Sequence, residues 1–170
     1  MKLDVTTSGR VAVGPPGLAR PVPRSARIVM TGQAPYELHL RLVFDERDQR
    51  LVVDELVVSR LPRGLPVRGA ELARVKLADL VETTLTGEVL DERGWRGVVE
   101  DHRDHDQVAV DALVYALAHA LGGQRPTQTV ALARGLQPGS AIKRVMRARE
   151  LGYLGEAQKG RSGGLASGTR

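Results

Sequence analysis

Ligand-type side chains crowd together in DHRDHD, Asp101 to Asp106, where His102 and His105 stand three residues apart among Asp101, Asp104 and Asp106. Neutral imidazole and carboxylate both bind divalent ions, and this spacing lets two histidines share one helix face. A closed metal site needs further ligands at a matching spacing, and the sequence offers none elsewhere. Alternating Arg and Asp instead suit a solvated helix entrance, where acids are favoured by the positive end of the helix dipole. With no cysteine in the chain, thiolate nucleophiles, thiolate metal sites and disulfides are excluded. QPGSA and GQRP lack the strand-to-helix elbow of a serine hydrolase, and no G-x-x-x-x-G-K-[ST] phosphate loop occurs. KGRSGG has glycines and positive charge, but no strand before it and no helix after it. His39 falls on the polar phase of a strand and His119 on an alanine-rich helix, which are structural settings. Neither a metal, a cofactor nor an enzymatic activity is therefore expected.

A different chemistry gathers further on. Between Gln124 and Arg170 nine basic side chains stand against only Glu150 and Glu156, although the whole chain carries a formal charge of just +5. The first 123 residues are accordingly slightly acidic. Such an asymmetry fits a chain that presents one segment to a polyanion. At 3% of residues, aromatic side chains are too few for a platform that stacks single-stranded bases, so the expected polyanion is double-stranded.

The elements that must position these charges follow from periodicity. Short strand-like pieces surround Leu3 to Thr6 and Arg10 to Val13, but GPPGLARPVPR reads as a loop, so residues 1–25 are expected to form an extended arm or loop. In YELHLRLVF, Tyr36, Leu38, Leu40, Leu42 and Phe44 alternate with polar positions, the period of a half-buried strand. RLVVDELVVSR is a second strand whose apolar phase changes across Asp54 and Glu55, which predicts a hairpin with a bulge or irregularity there. A helix from Ala70 to about Leu85 is expected to cover this sheet. Thr86 to Asp106 reads as a turn-rich acidic linker, with Trp95 as its packing anchor.

Beyond the linker, Val110, Leu113, Val114, Leu117 and Leu121 mark a helix over Val108 to Leu121, stopped by Gly122 and Gly123. Its other sides are mostly alanine, suited to close packing on another helix or on a second subunit. A short helix then runs from Pro126 and Thr127, with Thr127 as its cap, to Arg134. Gly135 is placed to end it at positive φ. A last helix from Gly139 to Leu151 would bury Ala141, Val145, Ala148 and Gly152 along one stripe and turn Lys143 and Arg147 nearly opposite.

Ala131 in the first helix of this pair, Gly135 at the turn, Leu136 directly after it, then Ala141 and Val145, resemble the helix-turn-helix DNA-binding motif of small bacterial regulators. In that motif the small residue permits close approach of the second helix, the glycine turns the chain and the next apolar residue plugs the core. RARELGYL is similar to the ending of such recognition helices. Arg134 departs from the pattern, standing where an apolar residue is usual. The resemblance covers about 25 residues, and implies that Gln137, Ser140, Ile142 and Lys143 face base edges in the major groove. It implies phosphate contacts for Arg125, Thr127, Gln128, Thr129, Arg144, Arg147, Arg149, Lys159 and Arg161, although Arg144 and Arg149 lie on the flanks of the last helix, where packing over the core is equally open to them.

The expected fold class is α+β: an N-terminal antiparallel sheet with a covering helix over 26–100, then an all-α, three-helix helix-turn-helix domain over 101–154 and a flexible basic tail over 155–170. The expected function is double-stranded DNA binding in transcription regulation, by a homodimer. The N-terminal module would serve dimerisation, a protein partner or an effector. A protein-interaction or assembly adaptor, of the phage-packaging kind, is the alternative use of the same three helices. MKLDVTTSGR carries no signal-type apolar run and no stretch approaches membrane-spanning length, so a soluble cytoplasmic protein is expected.

Overall fold

The computed structural model describes residues 2–32, 36–61, 67–69 and 75–155. An antiparallel meander comes first, β1 (Lys2–Val13), β2 (Arg20–Thr31), β3 (Tyr36–Asp45) and β4 (Arg50–Arg60), in the spatial order β1-β2-β3-β4. Helices α1 (Leu77–Val89), α2 (Gly94–Asp101), α3 (Gln107–Ala120), α4 (Pro126–Arg134) and α5 (Pro138–Glu150) follow among the described residues. The fold is α+β with a C-terminal helical part.

In β3 the alternation holds: Tyr36, Leu38, Leu40, Leu42 and Phe44 are buried, and the residues between them are not. The bulge falls where the phase of β4 changes. Arg41 pairs with Glu55 and Leu42 with Val53, leaving Asp54 as the extra residue, and the Arg41 guanidinium forms an ion pair with the Asp54 carboxylate. A charge at the bulge thus meets a cross-strand partner instead of the core.

Residues 1–25, expected as an arm or loop, instead supply β1 and the start of β2. Lys2 to Val13 pairs along its length with Arg20 to Thr31. The prolines mislead because their position in the sheet decides their cost. Pro21 and Pro23 lie in the part of β2 that has β1 beside it but not β3, whose pairing with β2 begins at Ser25. There a missing N–H on the outer side removes no ladder bond. GPPGLA is the turn between the strands, closed by the Leu18 N–H donating to the Pro15 carbonyl at 3.1 Å. Gly14 is required in it: at φ 132° any Cβ would lie 2.5 Å from the Leu113 side chain.

α1 reaches the sheet through Leu80, which packs against Met30, Tyr36 and Leu38, and buries Val81, Thr84 and Leu85; it runs from Leu77 to Val89, and positions 70–74, where its start was expected, lie outside the described residues. The expected linker contains α2, an eight-residue helix that buries Val98 and packs Trp95 against the core. Asp101 accepts from Arg20 and Arg93 at 2.8 Å each, tying α2 back to β2. These partners are 81 and 8 residues away along the chain, which is why the segment reads locally as a charged turn.

α3 is the centre of the molecule. Asp106 caps it, accepting from the Val108 N–H at 3.0 Å, and every residue from Ala109 to Ala120 is buried. A helix apolar all round needs neighbours on all sides. α3 finds them within the chain: it contacts β1, β2 and β4 as well as α2, α4 and α5. Its alanine side, including Ala112, Ala116 and Ala120, is therefore filled internally and is not open to a second subunit. One apolar cluster runs from Val13, Val22 and Ile28 through α3 to Val145 and Leu154. The core is continuous across position 101, where a domain boundary was expected, because α3 packs against sheet and helices together.

His119 sits near the end of α3, buried, with Nε2 2.8 Å from the Asp48 carbonyl. Burial holds its pKa below the ordinary histidine value; the contact with the Asp48 carbonyl acts in the opposite direction, and the Arg50 charge adds to the lowering. The unfolded chain then takes up a proton that the folded state resists. Stability is complete above the ordinary pKa of about 6.5 and is lost as pH falls below it. Thermal melts should lose more stability on acidification in the wild type than in His119→Gln. Parallel curves for the two proteins would contradict that assignment.

Candidate nucleic-acid interface

α4 and α5 form a helical hairpin laid over α3. α4 opens with Pro126 at its first position, where the missing N–H costs nothing, after Arg125 as the capping residue without a side-chain cap bond. Thr127 is thus inside the first turn and does not cap. Thr129 is also turned inward, buried, with its hydroxyl 3.5 Å from the Arg125 carbonyl. Gly135 ends α4 in the left-handed region at φ 62°. The Leu136 N–H donates to the Ala131 carbonyl at 2.9 Å and the Gly135 N–H to Leu132 at 3.3 Å, so both orphan carbonyls are satisfied by the turn. Leu136 is half-buried at the rim of the turn instead of plugging the core.

α5 begins at Pro138, three residues after Gly135 in sequence, and its inner stripe is Ala141, Val145 and Ala148, all buried. Gly152 does not extend that stripe. It is exposed at φ 77° and reverses the chain, so that the Tyr153 N–H reaches the Ala148 carbonyl at 2.9 Å and Leu154 returns to the core. The Tyr153 hydroxyl donates to Asp106 at 2.8 Å, fastening the end of α5 to the start of α3. That bond is the main reason the Asp106 carboxyl is held below the usual range, and it holds the Tyr153 hydroxyl above its own.

Of the candidates for base contact, Gln137, Ser140, Ile142 and Lys143 are all exposed, on the first two turns of α5 and the residue before it. The Gln137 side chain makes no cap bond to the helix. Arg147 is exposed beside Lys143 on the outer face and pairs with Glu150 at 3.0 Å. Met146, not singled out by the sequence, is 55% exposed and lies one turn beyond Ile142, which is 51% exposed.

The remaining phosphate candidates divide. Arg149 is turned back: it donates to the Tyr115 hydroxyl at 3.0 Å and its guanidinium lies 5.0 Å from the centre of that ring. Arg125 and Gln128 line an open cleft with Asp79, Glu82, Gln124, Thr129 and Leu132, in which the two carboxylates would repel a phosphate. Lys159 and Arg161 lie outside the described residues.

Asp111 is the residue that sequence reasoning missed. It is 0% exposed, inside α3, and it joins three helices. Arg134 of α4 donates from Nε to Oδ1 at 2.5 Å, and Arg144 of α5 donates from Nη1 to Oδ2 at 2.8 Å. The other two nitrogens of Arg134 reach the Gln107 side-chain oxygen at 2.6 Å and its carbonyl at 3.0 Å. Gln107 in turn donates to the carbonyls of Arg103 and His105, 2.8 Å away in each case. Two signals could have revealed the site together: a lone acid within an apolar helix, and an arginine where the turn motif calls for an apolar side chain. Each needs a buried partner of opposite charge.

His102 and His105 do approach one another, with ring centroids 5.5 Å apart, but His102 Nδ1 is taken up by the Val98 carbonyl at 2.8 Å. Asp101 is engaged by two arginines and Asp106 by the α3 cap. Among the described residues no group of three His, Cys, Asp or Glu is arranged to hold a metal ion. Nor, among them, is any helix long and apolar enough to cross a membrane.

Comparison of the chain with protein-family models, curated proteins and solved structures finds no match.

Proposed function

We propose that the chain binds double-stranded DNA through α5, as a cytoplasmic regulator of transcription without enzymatic activity. The observation that carries this reading is the division of α5 into two faces. Ala141, Val145 and Ala148 hold it on the core while Lys143 and Arg147 stand exposed on the outer side, with Ser140 exposed on the flank. A helix so mounted is free to enter a major groove with its N-terminal turns, Lys143 and Arg147 neutralising phosphate and Gln137, Ser140 and Ile142 meeting base edges. The resemblance of the Ala131 and Gly135 spacing to helix-turn-helix proteins supports the same assignment, Ala131 being buried and Gly135 turning the chain, while Leu136 departs from it. In a selection from a random duplex pool, the wild type should enrich a short motif, and Lys143→Ala with Arg147→Ala should lose retention in a gel shift. Equal retention by the double variant counts against the reading.

One α5 spans few base pairs, so a two-fold dimer is part of the proposal. Among the described residues β4 is a sheet edge, and it carries exposed Val53, Leu56 and Val57, which makes it the surface on which pairing is expected. Sedimentation should then show a dimer for the wild type and a monomer for Leu56→Lys; unchanged mass would move the pairing elsewhere.

A second reading, a protein-interaction adaptor, is favoured by Ile142 and Met146, two large apolar side chains exposed one turn apart on α5. For that use Ile142→Ser with Met146→Ser abolishes function, while Lys143→Ala with Arg147→Ala leaves DNA retention unchanged.

A further inference from the structure

We propose that Asp111 is a positioning residue that holds Arg144 as a preorganised phosphate ligand on the flank of α5. The inference rests on the DNA-binding reading. Asp111 supplies one negative charge, and two guanidinium groups meet it. Arg134 is the sequestered partner: its side chain is 11% exposed, and all three of its nitrogens are engaged by Asp111 and Gln107. That pair is neutral, so the triad's excess positive charge belongs to Arg144.

Arg144 is also the partner that can use this charge outside. Its side chain is 41% exposed, and its bond to Asp111 comes from a single terminal nitrogen. Among the described residues its other two nitrogens make no hydrogen bond that would compete with an approaching anion. At about 100° per residue, Arg144 lies about 40° around the helix from Ser140 and about 60° from Arg147. It therefore borders the face that carries Lys143.

An arginine free on the surface loses rotamer freedom when it binds phosphate, and much of the attraction is spent on that ordering. Arg144 has already been ordered, by a carboxylate whose charge Arg134 balances, so that it offers a phosphate no net repulsion. The planar fork suits this double role, since one edge can face Asp111 while another faces a phosphate oxygen; a lysine ammonium has no such division of donors.

The test is fluorescence anisotropy with a labelled random-sequence duplex and the full chain, from about 50 to about 200 mM salt. Arg144→Ala should weaken binding and make the slope of log K against log salt shallower by about 0.9, the share of one phosphate contact. Arg144→Lys should restore the slope but not the full affinity. Asp111→Asn adds net positive charge, so simple electrostatics predicts tighter binding. Positioning predicts the reverse: several-fold weaker binding, with no further loss when Asp111→Asn is added to Arg144→Ala.

Tighter binding by Asp111→Asn, or a slope unchanged in Arg144→Ala, overturns the inference. If Asp111→Asn does not fold, the two Arg144 variants decide the matter on their own. Wild-type binding that does not depend on salt defeats the DNA-binding reading itself, whereas salt-dependent wild-type binding with an indifferent Arg144 defeats only this inference.

Discussion

Asp111→Ala is expected to lower folding stability by about 3–5 kcal/mol, because it leaves the buried Arg134 guanidinium without its counter-charge. Arg144 can swing into solvent, but Arg134, at 11% side-chain exposure, cannot do so without unpacking α4 from α3. The loss should therefore appear mainly in the helical hairpin. Removing both charges is a different case. In Asp111→Leu with Arg134→Met no buried charge remains to be solvated, and apolar side chains of similar volume recover most of the stability, as expected when a buried ion pair is replaced as a unit. Urea denaturation of the single and paired variants measures the coupling directly. Additive losses would mean that Asp111 and Arg134 act independently, against the geometry of their 2.5 Å contact.

Leu113→Ala should cost about 2–5 kcal/mol through lost burial and the cavity left behind. Leu113 is fully buried at mid-α3, and its side chain fits against Gly14 in the turn between β1 and β2. The manner of the loss is as informative as its size. Since one core spans sheet and helices, unfolding followed by Trp95 fluorescence and by far-ultraviolet circular dichroism should coincide in both wild type and variant. Two separated transitions would show that the chain divides near position 101 after all.

The elements that the sequence reveals are those whose stability is local. β3 announces itself by period two, the β4 bulge by the phase change at Asp54 and Glu55, and the end of α4 by Gly135. What stays hidden depends on partners far along the chain. β1 and β2 are masked by prolines that are harmless only because β3 does not run beside them. α2 is held by Trp95 packing and by Arg20, neither of which marks a helix in sequence. Gly152 resembles a member of the buried stripe on a helical wheel, yet it is the residue that stops the helix.

The candidate surface was legible in part for the same reason. Lys143 is exposed because the small stripe opposite it had to be buried, and that stripe is periodic; Ser140 and Ile142 flank the stripe, and Gln137 precedes the helix. Thr129 was expected on phosphate but is drawn into α4 packing, and Arg149, whose flank position allowed either a phosphate contact or a turn back over the core, lies on Tyr115. A charge count assigns arginines to a polyanion without asking whether the fold uses them first. Arg134 and Asp111 each break a local rule, and together they satisfy it.

In the proposed function, α5 offers its outer face to a duplex. Binding of a random-sequence duplex by the wild type and by Lys143→Ala with Arg147→Ala, measured across a salt series, tests it most directly. The wild type should lose affinity linearly in log salt, and the variant should bind more weakly with a slope shallower by about 0.9 for each side chain that meets a phosphate. A wild-type affinity indifferent to salt, or a variant indistinguishable from the wild type, would mean that α5 does not meet the duplex through this face.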